Sequence, residues 1–205
     1  MFMAKTAALA MVAAIGVAGV ALWARPLPMA AAKNPVAVVT VNKDANNPIY
    51  VACAAGAGKE LAFSRRESMS GGAPMPGGRQ PTVTAETWTV SEVTADHATI
   101  TIATGDQKRT LSVPANIAAG DGAAPQAGGT EDIKVGDKTY ACKVYHYTTK
   151  SADELGRNAQ GMAGRVTVWV CPDAPGGIVQ RQVSLTIRVS YDTVETLQPA
   201  AAKGP

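Results

Sequence analysis

The stretch HATITIAT, His97–Thr104, alternates without a break. Ala98, Ile100 and Ile102 fall on one side, and Thr99 and Thr101 on the other. A helical repeat would mix these two sets, whereas the two-residue repeat of a strand gathers the aliphatic side chains onto one face. Runs of this kind, separated by turn residues, recur along the chain and constrain its fold more than any other feature. TVTAETWTVSEV, Thr82–Val93, is rich in β-branched residues and contains Trp88; it is expected to form a hairpin with the 97–104 strand through Thr94-Ala95-Asp96. TGDQ, Thr104–Gln107, reads as a tight turn into KRTLSV, Lys108–Val113. VAVVTV (Val36–Val41) and IYVACA (Ile49–Ala54) are two further strand candidates separated by NKDANNP.

In the C-terminal third, KTYACKVYHYTT (Lys138–Thr149) and GRVTVWVC (Gly164–Cys171) read as strands. IVQRQVSLTIRVSY then follows, with Val179, Val183, Leu185, Ile187, Val189 and Tyr191 on one face, interrupted only by Arg181. Ser151 with Glu154 fits a capping box, which predicts a turn or two of helix over Ser151–Ala159. SGGAPMPGGRQP (Ser70–Pro81) and AAGDGAAPQAGG (Ala118–Gly129) hold no large apolar residue that would offset their ordering entropy, and are expected to be flexible loops. The fold class implied is all-β: an antiparallel meandering sheet, curved into a half-barrel or closed into a small barrel.

Between two of these strands lies CPDAPGGI, Cys171–Ile178. Pro172 and Pro175 lack amide donors, so the segment cannot sit inside a sheet. Gly176 and Gly177 tolerate the positive φ that a tight reversal needs. A structural turn at Pro175, Gly176 and Gly177 accounts for these residues better than a ligand loop. Neither a P-loop nor a dinucleotide fingerprint occurs in any of the glycine-rich stretches.

The N-terminus reads as targeting. Lys5 is followed by an uncharged run, Thr6–Ala24, and then by RPLPMAAAK, where Ala30 to Ala32 give an A-x-A site with cleavage before Lys33. The competing reading is an uncleaved anchor, because the run approaches the length that spans a bilayer; it is, however, rich in alanine and glycine. The organisation expected is an export helix over 1–32, a single β-rich domain over 33–198 and a disordered tail over 199–205. The body is then periplasmic, envelope-bound or secreted, touching a membrane only if the segment stays uncleaved. Of the chain's 19 basic residues only Lys5 and Arg25 precede Lys33, so the body is near neutral against its 16 acidic residues. With Arg65-Arg66 an isolated basic pair, a nucleic-acid partner is not expected.

EDIKVGDKTYACKVYHYT followed by VTVWVCPDAPGGIVQRQV resembles a pattern in uncharacterised exported bacterial β-rich proteins: a G-K-x-[YF]-x-C-K-V strand, then a W-x-[SC]-x-x-[VA]-P-G-G-[IV]-V hairpin. The resemblance covers roughly residues 131–185. It extends, at the level of fold, to the half-barrels of periplasmic lipoprotein carriers, and implies no catalytic residues. The chain departs from the pattern in having Cys171 where serine is commoner.

If the 138–149 and 164–171 strands pair about a centre near Arg157, Cys142 and Cys171 stand directly opposite each other. Opposed strand residues are close enough for a disulfide, and an exported chain meets an oxidising compartment. A Cys142–Cys171 bond is therefore expected, with reduced thiols or a bond to Cys53 as alternatives. Cys53 is otherwise a small buried hydrophobe.

Sites of known chemistry are scarce. His97 and His146 are the only histidines, and on a strand His146 lies about 13 Å from Cys142, too far to share a metal ion. There is no C-x-x-C, H-E-x-x-H or G-x-S-x-G, and Glu86 and Glu92 read as solvent-facing acids. Tyr145 and Tyr147 suit cross-strand packing better than a recognition strip. No cofactor is expected. Two function classes remain. One is a non-enzymatic module binding an envelope protein or an apolar ligand in the concave sheet face; the other is a secreted hydrolase with a cryptic site built around a histidine.

Overall fold

The computed structural model describes residues 37–38, 41–70, 80–117, 124–155, 161–186 and 189–199. The segment expected to direct export, residues 71–79 and 118–123 of the two loops, Ile187 and nearly all of the tail lie outside them. Ten strands and two helices occur in the order β1 (Ala37–Val38), α1 (Pro48–Gly56), β2 (Glu60–Ser70), β3 (Thr82–Val93), β4 (His97–Thr104), β5 (Gln107–Pro114), β6 (Gln126–Val135), β7 (Lys138–Thr149), α2 (Ala152–Leu155), β8 (Gly164–Val170), β9 (Ile178–Thr186) and β10 (Ser190–Leu197).

The protein is all-β, with the strands in one curved sheet. Its order is β5-β4-β3-β2-β10-β9-β8-β7-β6, with β1 added in parallel to the end of β3. The two end strands do not pair, so the sheet is an open half-barrel and not a closed one. Nor is it a single meander. Two antiparallel meanders, β2 to β5 and β6 to β10, join through their first and last strands, where Leu197 pairs with Phe63 and Ser190 with Ser70.

Four elements differ from the sequence expectation. The stretch Ile49–Ala54 is helical. Asn47 accepts a hydrogen bond from the Ile49 amide at 3.0 Å and Pro48 opens the first turn, which is the usual chemistry of a helix start. β2 went unread because charged Arg65 and Glu67 follow Leu61 and Phe63 on its inner face and mask the alternation. β6 occupies part of the segment expected to be a loop. It is an edge strand exposed on both faces, so it has no apolar pattern to read. Finally, the run from Ile178 to Tyr191 is two strands, since Ser190 pairs back on Thr186. Tyr191, expected on the buried face, is exposed.

The concave face carries the core. α1 lies across one end and buries Ile49, Tyr50, Ala52 and Cys53. The Tyr50 hydroxyl donates to the Thr94 carbonyl at 2.6 Å, which pins the helix to the β3–β4 turn. Phe63 and Trp88 stack at 4.4 Å below it. The β8–β9 corner sits on α1: Gly176 and Gly177 adopt φ of 72° and 75°, and the Cys171 amide donates to the Gly177 carbonyl at 2.9 Å. A Cβ on Gly56 would meet the Gly176 backbone at 2.7 Å, so helix and corner approach as only two glycines allow.

Strand pairing sets Lys143 opposite Val170 and Val144 opposite Trp169, and the next position puts Cys142 beside Cys171. All three cysteines are buried free thiols. Burial pushes the Cys53 thiol up to about 12, and burial with the neighbouring Cys171 pushes that of Cys142 to about 11.

Gly176→Ala should cost about 2–4 kcal/mol in urea unfolding, combining a left-handed backbone with a Cβ 2.2 Å from Leu61 Cδ1. Gly105→Ala, at φ 55° with nothing near its Cβ, should cost only about 1 kcal/mol. Equal losses at the two positions would contradict the packing described here.

Candidate functional site

At the end of the concavity away from α1, the inner face turns from apolar to charged. Arg65 on β2, Glu195 on β10 and Arg181 on β9 are directly opposed on three consecutive strands, so their charges alternate across the sheet. Arg181 Nη1 donates to Glu195 Oε2 at 2.7 Å, with the two side chains 2% and 1% exposed. Burial works against the Arg181 charge, but Glu195, together with Tyr147 and Glu154, more than offsets it and holds the guanidinium above its ordinary pKa.

The pair is one link of a longer chain. Arg109 Nη2, from β5, reaches Glu195 Oε1 at 3.4 Å and Glu86 Oε1 at 3.6 Å. Glu86 also accepts from Arg65 Nη1 at 3.2 Å and from Trp88 Nε1 at 3.0 Å. Arg65 Nη2 pairs with Glu67 at the rim. On the other side Arg181 Nη2 donates to the Glu154 carbonyl at 2.6 Å, and the Tyr147 hydroxyl donates to Glu154 Oε1 at 3.0 Å. These two bonds tie α2 to the sheet. The helix itself starts at Ser151, whose Oγ accepts from the Glu154 amide at 3.4 Å, and it is described for one turn to Leu155; residues 156–160 lie outside the described residues.

The curvature of the sheet can be measured from these contacts. β5 and β10 are four strand spacings apart, about 19 Å of arc. Arg109 and Glu195 could not meet across a flat sheet of that width. α2 follows β7, seven spacings from β5, yet it packs against β5. Between them lies a cavity of about 680 Å³, lined by Arg65, Glu67, Thr84, Glu86, Ile102, Thr104, Gln107–Thr110, Ala152 and Asp153.

Sequence reasoning missed this site. Glu86, taken as solvent-facing, is 2% exposed because Trp88 and two arginines enclose it. The only signals were the lone Arg181 in an aliphatic face and the lone Glu86 two positions before Trp88. The residues singled out from sequence lie elsewhere. Cys142, Cys171, Pro175, Gly176 and Gly177 belong to the β7–β8 pair and its corner. Tyr145 is half-buried and Tyr147 buried, on the inner face. His97 bonds Thr94 Oγ1 at 3.1 Å beside the β3–β4 turn, and His146 bonds Thr167 Oγ1 at 3.0 Å on an exposed part of β7. Neither histidine lines the cavity, so a hydrolase site built around one is not assembled there. Among the described residues no group of three metal-ligating side chains occurs, and no helix is long and apolar enough to cross a membrane.

No known protein family matches the sequence, and no curated protein is similar to it. Among solved structures the chain is similar to lipoprotein LppX of Mycobacterium tuberculosis, with 13% identity, 76% of this chain and 98% of that chain covered, and a TM-score of 0.39. It is also similar to the hypothetical lipoprotein YmcC of Escherichia coli, with 11% identity, 68% and 85% covered, and a TM-score of 0.31. Both identities lie below 25% and both TM-scores below 0.5, and no role carries over from either protein.

Glu195→Ala strands the buried Arg181 charge and should destabilise the protein by about 3–5 kcal/mol. Replacing both partners, Arg181→Met with Glu195→Leu, should recover most of that loss in chemical unfolding. A double variant as unstable as the single one would mean the pair is not what holds this layer.

Proposed function

We propose that the protein is an exported, non-enzymatic binding module of the cell envelope that holds a small molecule in the cavity between the charged layer and α2. In this reading residues 1–32 direct export and residues 33–198 form the working domain. The cavity carries the proposal. At about 680 Å³ it falls in the size range of small-molecule sites, and the pairs of buried Glu86 with Arg65 and Arg109 fix its wall. No histidine adjoins it to serve as a base for a nucleophile. Among the described residues α1 fills the opposite, apolar end of the concavity, which leaves the charged end for an occupant.

In an oxidising compartment Cys142 and Cys171 join. Burial raises the Cys142 thiol and so disfavours the thiolate that disulfide formation needs, and the bond is therefore expected to form before the strands bury it. Protein recovered from outside the cytoplasm should begin at Lys33, and non-reducing peptide mapping should link Cys142 to Cys171. Protein refolded in reductant should then resist oxidation. An intact cytoplasmic chain contradicts the export reading, and Cys142 bonded to Cys53 contradicts the pairing.

Binding is tested by native mass spectrometry of the exported protein beside its Ala152→Trp variant, which fills the cavity from α2. The wild type should retain a small-molecule adduct that the variant lacks. An equal adduct on both proteins, or none on either together with no ligand-induced shift in a fragment screen, sinks the proposal.

A further inference from the structure

The charged layer is not balanced in its hydrogen bonds. Each oxygen of the two buried carboxylates is in a hydrogen bond: Glu86 uses Oε1 for Arg65 and Oε2 for Trp88, while Glu195 uses Oε1 for Arg109 and Oε2 for Arg181. The N–H groups of the arginines are not all so engaged. Each guanidinium carries five N–H groups in a planar fork. Among the described residues the Nε atoms of Arg65, Arg109 and Arg181 are all buried without a partner. Arg109 is the least satisfied, since its contacts to Glu195 and Glu86, at 3.4 and 3.6 Å, both use the single atom Nη2. Its side chain is 32% exposed toward the cavity, and Lys108 stands next to it in the same lining.

Arg109, whose two contacts both run through Nη2, leaves Nη1 on the cavity wall for an incoming acceptor, with Glu67 and Asp153 as the further acids of the lining. We infer that the cavity binds a molecule through an anionic group, a phosphate or a carboxylate, seated on Arg109 and Lys108; the inference rests on the cavity's being a binding site at all. Arg109 Nη1 and the Lys108 ammonium suit the oxygens of such a group. The group's charge would also draw Arg109 away from its long contacts at little cost, because Arg181 continues to neutralise Glu195. The cavity is much larger than one phosphate. Ile102 and Ala152 in its lining leave room for an uncharged body beyond the anionic group.

The test uses the full exported chain and four probes: dodecyl phosphate, dodecyl maltoside and dodecyltrimethylammonium, each below its micelle concentration, and inorganic phosphate. Isothermal titration should show dodecyl phosphate binding about tenfold tighter than the maltoside, the effect of one added charge-assisted bond. Lys108→Gln and Arg109→Gln should each remove most of that preference, read as the ratio of dodecyl phosphate to maltoside affinity. Lys108 is outside the ion-pair network, so its variant decides the matter even if the Arg109 variant unfolds. Inorganic phosphate binding as tightly as dodecyl phosphate would support a free anion as the ligand; much weaker binding would support a headgroup. Equal affinity for phosphate and maltoside, or a preference for the ammonium, overturns the anion assignment while the cavity reading stands. Binding by none of the probes, or undiminished binding to Ala152→Trp, overturns both.

Discussion

The seam between β2 and β10 holds the two halves of the molecule in one sheet, and the charged row crosses it. Arg65, Glu195 and Arg181 are opposed across that seam and the neighbouring β10–β9 pair, so the polar layer lies directly over the join. Every other pairing in the sheet, the short β1 apart, is local and closes through a hairpin. This one brings together strands from opposite ends of the domain. The concavity, the position of α1 within it and the approach of β5 to α2 all require that the two meanders share one curvature.

Stability alone does not call for charges at this place. A guanidinium and a carboxylate buried together pay heavily in lost hydration, and an apolar layer of the same volume often does as well. What the charged layer supplies is direction. Aliphatic side chains would let the β5 edge and α2 close over any packing arrangement, whereas Arg109 reaches carboxylates on two separate strands, and Arg181 and Tyr147 fix α2 at Glu154. The apolar end closes differently, by the contact of Gly56 with Gly176 and of Ala52 with Gly177.

The strands with one buried and one wet face were legible from sequence, and β3 and β4 begin and end where the alternation does. What escaped was whatever answers to a partner distant in sequence. β2 looks irregular until Glu86 on β3 is seen to receive its Arg65. Between β9 and β10 the sequence has neither glycine nor proline to announce a break. α1 read as a strand because its β-branched start outweighed the Asn47-Pro48 signal. The Cys142–Cys171 opposition depended only on one local hairpin, which is why its register was accessible, while the cavity draws its lining from β2, β3, β4, β5 and α2.

An open sheet leaves two strands with an unsatisfied side, and each is a template on which a stray extended chain could grow. The sequence blunts both. β6 breaks its own register between Ala127 and Gly129 and carries Glu131, Asp132 and Lys134 along its length. β5 carries Lys108 and Arg109 and ends at Pro114, which has no amide to offer, while α2 stands against it. The residues that interrupt the apolar pattern of the sheet's borders are thus also the ones that discourage edge-to-edge aggregation.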